Sequence, residues 1–302
     1  MADNQLRVNT VHDYNAYVGA KDSHPLISVI DYAEVSPIRH SRSHFNVFGL
    51  FLRDEVLEDL SYGCGKYDYR EGTLISVAPG QIGGMEDNGQ LFDIKGWAIL
   101  FHPDLLHGTP LNEKIKEYSF FSYSVNEALH MTLQERETLD RCFALIKAET
   151  ERCHASYQNE IIVGMLDVIL NYCMRFYDRQ FLTRGISNND TMARLERFLN
   201  DYYDTGRQLT EGLPSVVTCA SELCMSANYF SDLLKRQTGE TVSNHIRRFV
   251  IERAKSKFRS GDSVNHVSYD LGFEYPQHFS RMFKNYTGCT PTEYIKRLKG
   301  SK

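Results

Sequence analysis

Two short segments of the chain, 49 residues apart, carry the same side chains in the same order. The matching pairs are Phe230 and Phe279, Ser231 and Ser280, Lys235 and Lys284, Thr238 and Thr287, and Gly239 and Gly288. Each copy contains a hydroxyl that can form hydrogen bonds and, four positions later, a lysine ammonium. On a helix these two groups lie one turn apart on the same face, where they suit contact with the phosphates and base edges of a nucleic acid.

The repetition extends upstream with an offset of 48 residues. It pairs Val216 with Val264, Ala220 with Ser268, Leu223 with Leu271, and Met225 with Phe273. The change of offset places one additional residue in the second turn. A helix, a short turn and a second helix with a cationic end, present twice, indicate two helix-turn-helix units, the commonest way to place a helix in a DNA major groove.

The charge distribution agrees with this interpretation. The whole chain has a formal net charge of −5, but residues 191–302 contain 17 basic and 12 acidic side chains, a net charge of +5. Residues 1–190 contain 17 basic and 27 acidic side chains, a net charge of −10. The positive charge is therefore confined to the segment with the repeat, as phosphate neutralisation requires.

Composition and cysteine usage favour a cytoplasmic protein. The seven cysteines are odd in number and include no Cys-x-x-Cys pair, which is typical of reduced thiols. We see neither a signal-peptide core nor an apolar run of the ~20 residues that cross a bilayer. With 302 residues the length predicts about two domains.

The first half of the chain has the pattern of a β domain followed by helices. Short apolar or alternating runs at 26–32, 45–52, 73–77, 97–101 and 118–123 predict an all-β barrel or sandwich. From Leu133 the period becomes helical, and a second apolar helix is predicted from Ile161 to Phe176. We therefore predict domains at 1–183 and 191–302, joined by a polar linker at 184–190.

The second domain has a helical pattern throughout. The predicted helices are 190–203, 215–223, 227–237, 242–258, 263–271 and 276–285, with Ser226 as an N-cap. Thr290 and Glu293 have the spacing of a capping box at the start of a final helix, with Pro291 in its first position.

These residues resemble the AraC/XylS family of bacterial transcription regulators. The most specific segments are Asp270-Leu-Gly-Phe273, Phe279-Ser-Arg-Met-Phe-Lys284, Thr287-Gly288 and Pro291. The resemblance covers residues 197–299, about a third of the chain. It implies two recognition helices, connected by a long helix, that enter successive major grooves on one side of the DNA about one helical turn (~34 Å) apart.

The resemblance also implies which side chains contact DNA. The implied positions are Asn228, Ser231 and Asp232 in the first helix-turn-helix unit, and Pro276, Gln277, Ser280 and Arg281 in the second. The repeat itself adds Lys235 and Lys284 as expected DNA contacts. Arg281 can form a bidentate pair with guanine, whereas Gln277 and Asn228 suit adenine. Many relatives have Arg at the place of Asp232, and Pro276 offers no donor. We therefore expect the second unit to carry most of the sequence discrimination.

Residues 73–83 resemble the strand and Pro-Gly turn of cupin barrels, the usual effector-binding domain of this family. The chain has no His-x-His motif, and Gly83 stands where catalytic cupins have a later histidine. We therefore expect no metal, no other cofactor and no enzymatic activity. The barrel mouth is instead expected to hold a small molecule such as a sugar or an aromatic acid, lined by His40, His44, Tyr62, Tyr69 and Trp97.

The expected fold is thus α+β: a cupin-like β-barrel with a helical dimerisation segment, then an all-α double helix-turn-helix domain. The helix at 161–176 is apolar on more than one side, so it either lies deep in its own domain or meets a second subunit, and a homodimer is favoured. The expected function is effector-controlled transcription regulation, with RNA polymerase as a partner if the protein is an activator. Two alternatives remain open, a metal-dependent cupin enzyme with a helical accessory domain and a regulator controlled by a protein partner.

Overall fold

The computed structural model describes residues 6–39, 41–53, 61–62, 65–66, 72–84, 89–124, 127–152, 156–187 and 190–300, of which 61–62, 65–66, 183–187, 190 and 299–300 are described by their backbone alone. The chain divides into two compact units, residues 1–180 and 181–302. The first unit is rich in β-sheet, and the second is helical.

The strands of the first unit form several small sheets. They are β1 (Leu6–Val8), β2 (Ile27–Asp31), β3 (Ile38–Arg39), β4 (Arg42–Phe45), β5 (Phe48–Arg53), β6 (Ser61–Tyr62), β7 (Gly65–Lys66), β8 (Thr73–Val77), β9 (Gln81–Gly84), β10 (Leu91–Phe92), β11 (Gly96–Phe101) and β12 (Leu129–His130). The largest sheet has the order β12-β8-β5-β11-β2, and a second has the order β1-β4-β9. In the described residues these ladders do not join into one closed sheet, so the structure supports a sheet-rich domain, and barrel closure stays a prediction.

The helices of the chain are α1 (Val11–Val18), α2 (Tyr32–Val35), α3 (Leu111–Lys114), α4 (Leu133–Thr150), α5 (Gln158–Ser187), α6 (Asp190–Asp204), α7 (Gln208–Glu211), α8 (Val216–Glu222), α9 (Ala227–Thr238), α10 (Val242–Arg259), α11 (Val264–Asp270), α12 (Pro276–Thr287) and α13 (Pro291–Gly300). Within the described part of the chain, no helix combines the length and the apolar character that a bilayer crossing requires.

The five-stranded sheet is buried on both faces. On one face Phe51 and Ala98 join a buried apolar cluster that also contains Tyr14 of α1 and Phe45 of β4. On the other face the ring of Trp97 packs edge-on against Phe143 of α4, with 6.4 Å between the ring centres. A helix covers one side of the sheet and the second sheet covers the other.

The strand prediction for residues 118–123 is wrong. This segment forms a 3-10 helix at Ser119–Ser122, preceded by another at Ile115–Glu117. Phe120 and Phe121 are both buried although they are consecutive, and Phe120 stacks on Tyr177 of α5 with 5.7 Å between ring centres. A strand would send two neighbouring rings to opposite faces, whereas this turn directs both into the core.

The two helices predicted after the β region are present as α4 and α5. Most apolar side chains of α5 are buried, among them Leu166, Ile169 and Leu170, but Ile161 and Val168 are 40% and 49% exposed. The predicted linker at 184–190 is partly wrong, because α5 continues through Ser187 despite Gly185 and the polar sequence.

The second unit has a core of its own. Its centre contains Phe258 of α10, Phe279 and Phe283 of α12, and Tyr294 of α13, with ring centres between 5.5 and 6.3 Å apart. The predicted capping box is confirmed: the Thr290 amide donates to Glu293 Oε2 over 2.8 Å, and the Glu293 amide donates to Thr290 Oγ1 over 3.3 Å. This backbone bond and the Thr290 hydroxyl lower the pKa of Glu293.

Candidate nucleic-acid interface

The two repeats fold into two helix-turn-helix units of the same construction. In the first unit α8 is followed by α9, and in the second α11 is followed by α12, with α10 between them. The turn between α8 and α9 spans residues 223–226, and the turn between α11 and α12 spans residues 271–275. The additional residue that the sequence offsets placed in the second turn is therefore confirmed.

Both turns contain one residue with a positive φ at equivalent positions. This residue is Cys224 in the first unit, with φ 58°, and Gly272 in the second, with φ 87°. The next residue returns a hydrogen bond to the first helix in each case, from Met225 N to Ala220 O over 2.9 Å and from Phe273 N to Ser268 O over 3.1 Å. The repeated sequence thus produces a repeated backbone path.

The apolar residues of the repeat support the units from inside, as predicted. Phe230, Phe279 and Leu271 are fully buried, and Leu223 is 4% exposed. Ala220 and Ser268, the small residues of the first helix in each unit, are also buried. Burying a phenylalanine ring contributes about 1.5–3 kcal/mol, so these positions fix the angle at which each second helix is presented.

The shared Thr-Gly pair ends both recognition helices in the same way. Thr238 Oγ1 donates to Leu234 O over 2.8 Å, and Thr287 Oγ1 donates to Phe283 O over the same distance. Gly239 and Gly288 follow with φ 76° and 78°, the left-handed conformation that glycine adopts without steric cost. Lys235 and Lys284 lie in the last turns of these helices, where a cation also favours the helix dipole.

The first recognition helix, α9, presents a mixed surface. Asn228 and Lys235 are exposed, whereas Ser231 and Asp232 are half-buried. The Ser231 hydroxyl donates to Ala227 O over 2.7 Å within the helix, so only its oxygen lone pairs are available to a donor on DNA. Ser226 caps the helix, as predicted, by accepting a bond from Tyr229 N.

The second recognition helix, α12, presents a more cationic surface. Gln277, Arg281 and Lys284 are exposed and have the i, i+4, i+7 spacing of a single helical face. Ser280 is half-buried beside them. Pro276 is the first residue of the helix, preceded by Tyr275, whose side chain provides no cap. The opposite face carries the buried Phe279 and Phe283.

Two exposed rings at the start of α12 were missed by the sequence analysis. Tyr275 is 48% exposed, and its ring centre lies 5.6 Å from that of His278, which is also exposed. The position of Tyr275 directly before Pro276 was the available signal, because a proline in the first turn places the preceding side chain at the helix entrance.

Of the five expected effector-lining residues, the structure describes the side chains of two, His44 and Trp97. His40 and Tyr69 lie outside the described residues, and Tyr62 is described by its backbone alone. His44 lies between Ser43 and Phe45 on β4, and since Phe45 points into the buried cluster, His44 points to the opposite side. Its neighbours across the sheet, Arg7 and Ile82, are exposed.

Trp97 is also not placed in the buried cluster between the sheets. Its ring packs on Phe143, and the Lys147 ammonium lies 6.0 Å from its centre. The structure therefore gives no support to a common pocket for His44 and Trp97. Within the described residues no group of three or more His, Cys, Asp or Glu side chains is arranged to hold a metal ion.

The class of fold in the second unit is a pair of helix-turn-helix units connected by a long helix. Residues 219–297 match the family described as "Helix-turn-helix domain". Over 82 residues the chain is 37% identical to the uncharacterised transcriptional regulatory protein YesN of Bacillus subtilis, a match that covers 26% of this chain and 22% of that protein. It is also 28% identical over 147 residues to the HTH-type transcriptional activator RhaS of an Enterobacter species, with 48% of each chain covered.

These matches confirm the resemblance of the C-terminal unit to AraC/XylS regulators that was stated from the sequence. The chain spans about half or less of the length of the curated relatives it matches. Similar solved structures include a DNA-binding transcriptional dual regulator from Escherichia coli K-12, with 24% identity, coverage of 36% of this chain and 93% of that one, and a TM-score of 0.30. Another is ToxT from Vibrio cholerae O395, with 13% identity, 91% and 97% coverage and a TM-score of 0.30.

Proposed function

We propose that this protein is a sequence-specific DNA-binding transcription regulator. The observation that carries the proposal is the two-sided character of α12, which buries Phe279 and Phe283 and exposes Gln277, Arg281 and Lys284 on one face. A helix with this arrangement can enter a major groove while its apolar side holds it on the domain. The net charge of +5 on residues 191–302 supports contact with phosphates.

The two units contribute differently to recognition. Arg281 pairs with a guanine edge, Gln277 with adenine, and Lys284 with a phosphate. On α9 the carboxylate of Asp232 repels nearby phosphates, and Ser231 uses its proton inside the helix. The first helix-turn-helix unit, through Asn228 and Lys235, therefore mainly positions the protein on DNA. The second helix-turn-helix unit discriminates between sequences.

The sheet-rich unit serves as the sensor in this proposal. A small-molecule effector, a sugar or an aromatic acid, binds there and favours one of the conformations that differ in DNA affinity. The protein acts as a regulator in the cytoplasm and not as an enzyme, with RNA polymerase as its partner at promoters it activates. Relatives named as a transcriptional activator and as a raffinose operon regulator support this class of function.

We further propose that the protein acts as a homodimer through α5. Ile161, Gly164 and Val168 are exposed and follow the i, i+3, i+7 spacing of one face, and a Cβ on Gly164 would meet no atom within 4 Å. This face allows two helices to approach closely. Two subunits double the number of recognition helices on paired DNA sites.

The test is selection of bound duplexes from fragmented genomic DNA with the purified full chain. The proposal expects enrichment of a defined sequence and affinity that falls steeply as salt rises. Equal recovery of all fragments, or no retention of duplex at low salt, would refute it.

A further inference from the structure

An arginine with an unused hydrogen-bond donor lies at the end of the buried apolar cluster in the sheet-rich unit, residues 1–180. Arg53 is the last residue of β5 and has the same orientation as Phe51, which belongs to that cluster. Its guanidinium carbon lies 4.8 Å from the centre of the Tyr32 ring. Its Nη1 atom is buried and has no hydrogen-bond acceptor in the described part of the chain. A buried cationic donor without an acceptor is unfavourable, and such groups in native proteins call for a partner.

Two buried tyrosines add a second unused donor beside this cation. The hydroxyl oxygens of Tyr14 and Tyr32 lie 2.8 Å apart, so one hydroxyl donates to the other. The proton of the accepting hydroxyl has no acceptor in the described residues. Desolvation by burial, and secondly the neighbouring Tyr32, raise the pKa of Tyr14 well above its ordinary value, so Tyr14 keeps its proton.

The neighbours of Arg53 on the two adjacent strands are a glycine and a threonine. Across the sheet Arg53 is paired with Gly96 of β11 and with Thr73 of β8. Gly96 has no side chain to cover the guanidinium. Arg53 itself is half-buried, so part of its surface is accessible from solvent.

We propose that Arg53, Tyr14 and Tyr32 form the polar end of a site for a small organic carboxylate, which is the effector of the sensor unit. This inference rests on the proposed regulatory function and specifies its ligand class. A carboxylate offers two acceptor oxygens to the planar guanidinium and a lone pair to the tyrosine hydroxyl, and it neutralises the charge. A sugar would satisfy the donors but leave the half-buried cation without a counter-charge, which decides between the two effector classes in favour of an acid.

The site is tested by binding and thermal melting of the full chain with benzoate and octanoate. The neutral controls are benzamide and octanamide, and inorganic phosphate is a further arm. We expect at least one carboxylate to bind and to raise the melting temperature, with its amide at least about tenfold weaker. Failure of both carboxylates to bind at millimolar concentration, or equal binding of the amide or of phosphate, would overturn the assignment.

Arg53→Met separates ligand binding from structural support. It is expected to weaken carboxylate binding at least about tenfold, because it removes the charge and the fork of donors. Tyr32→Phe is expected to weaken binding while keeping the ring. The matched control Arg141→Met, an arginine with a 79% exposed side chain on α4, should bind as the original chain does. Unchanged carboxylate binding by Arg53→Met contradicts the proposal.

The melting temperature and the DNA binding of Arg53→Met complete the test. Without ligand, Arg53→Met is expected to melt at the same or a higher temperature, because it removes an unpartnered buried donor. A lower melting temperature would assign Arg53 a structural role and overturn the site. Ligand-free Arg53→Met should still bind the selected duplex. Failure of DNA binding by the original chain would count against the regulatory function, whereas failure of carboxylate discrimination alone counts only against this site.

Discussion

The imidazole Nε2 of His245 lies 2.9 Å from the Thr238 hydroxyl oxygen, which ties the last turn of the first recognition helix to the helix that connects the two units. On the other side of the ring, Arg248 Nη2 lies 2.7 Å from Nδ1. Because arginine can only donate, Nδ1 must accept, and the proton lies on Nε2 and is donated to Thr238. The arrangement requires a neutral imidazole.

A pH dependence of stability follows. Burial and the adjacent Arg248 lower the pKa of His245 from 6.5 in the folded protein. The stabilisation that neutral His245 contributes is therefore fully present above pH 6.5. It decreases as the pH falls through the pKa of the folded protein, because the unfolded chain takes up the proton first. Urea unfolding between pH 8 and pH 5 measures this loss. His245→Gln can keep both hydrogen bonds without titrating, and it should flatten this part of the profile. An identical pH profile in the two proteins would show that His245 is not the group responsible.

Substitutions at equivalent positions in the turns of the two helix-turn-helix units should change the stability of the protein in opposite directions. Cys224→Gly should stabilise the protein by a few tenths to about 1 kcal/mol, because a non-glycine residue at φ 58° is strained. Gly272→Ala should destabilise it by more than about 1 kcal/mol, because a Cβ at this position would lie 2.7 Å from Gln208 O. Denaturant midpoints measure both changes. Destabilisation by Cys224→Gly would mean that its side chain makes a contact worth more than the strain.

Much of the second unit could be predicted because its sequence is repeated. The offsets of 49 and 48 residues placed the helices, the longer second turn and the buried Phe230 and Phe279 correctly. The short helix α7 was missed, because four residues carry no periodic pattern. Its Gln208 bonds to Asp270 O in the second unit, a contact that only the folded chain reveals.

The site residues of the sheet-rich unit were harder to predict from the sequence, for a physical reason. Tyr14, Tyr32 and Arg53 belong to three different elements, and no spacing in the sequence relates them. His44 and Trp97 lie outside the buried cluster between the sheets. A shift of one residue along a strand reverses the direction of a side chain, and the sequence alone does not give this direction. Composition identified the kind of residue needed for a pocket, and only the register decides which ones face inward.

Disruption of the proposed dimer should leave each subunit folded. Val168→Glu places a charge on the exposed face of α5, where the original side chain is 49% exposed. We expect a shift from dimer to monomer in sedimentation velocity, with an unchanged melting temperature extrapolated to low concentration. The control is Leu133→Glu at the start of α4, a leucine that is 79% exposed. Equal sedimentation of Val168→Glu and the original chain would remove α5 from the interface.

Lys284 should contribute to DNA affinity through its charge, independently of the base sequence of the duplex. Replacing it with Gln removes one phosphate contact, so binding should weaken on specific and random duplexes alike, and the slope of log K against log salt should fall by about 1. Lys116→Gln is the control, since its ammonium is 2.6 Å from Glu113 in the other unit. Filter binding over a salt series gives the slopes. A change confined to the specific duplex would make Lys284 a base-reading residue instead.

The most direct test of DNA reading by the second unit compares Arg281→Ala with Asp232→Ala on the selected duplex and on a duplex in which the contacted guanine is replaced. Arg281→Ala should lose about 1–3 kcal/mol on the selected duplex and little on the altered one, whereas Asp232→Ala should change both less. A larger loss at position 232, or an Arg281→Ala protein that still distinguishes the two duplexes as well as the original chain does, would contradict the account.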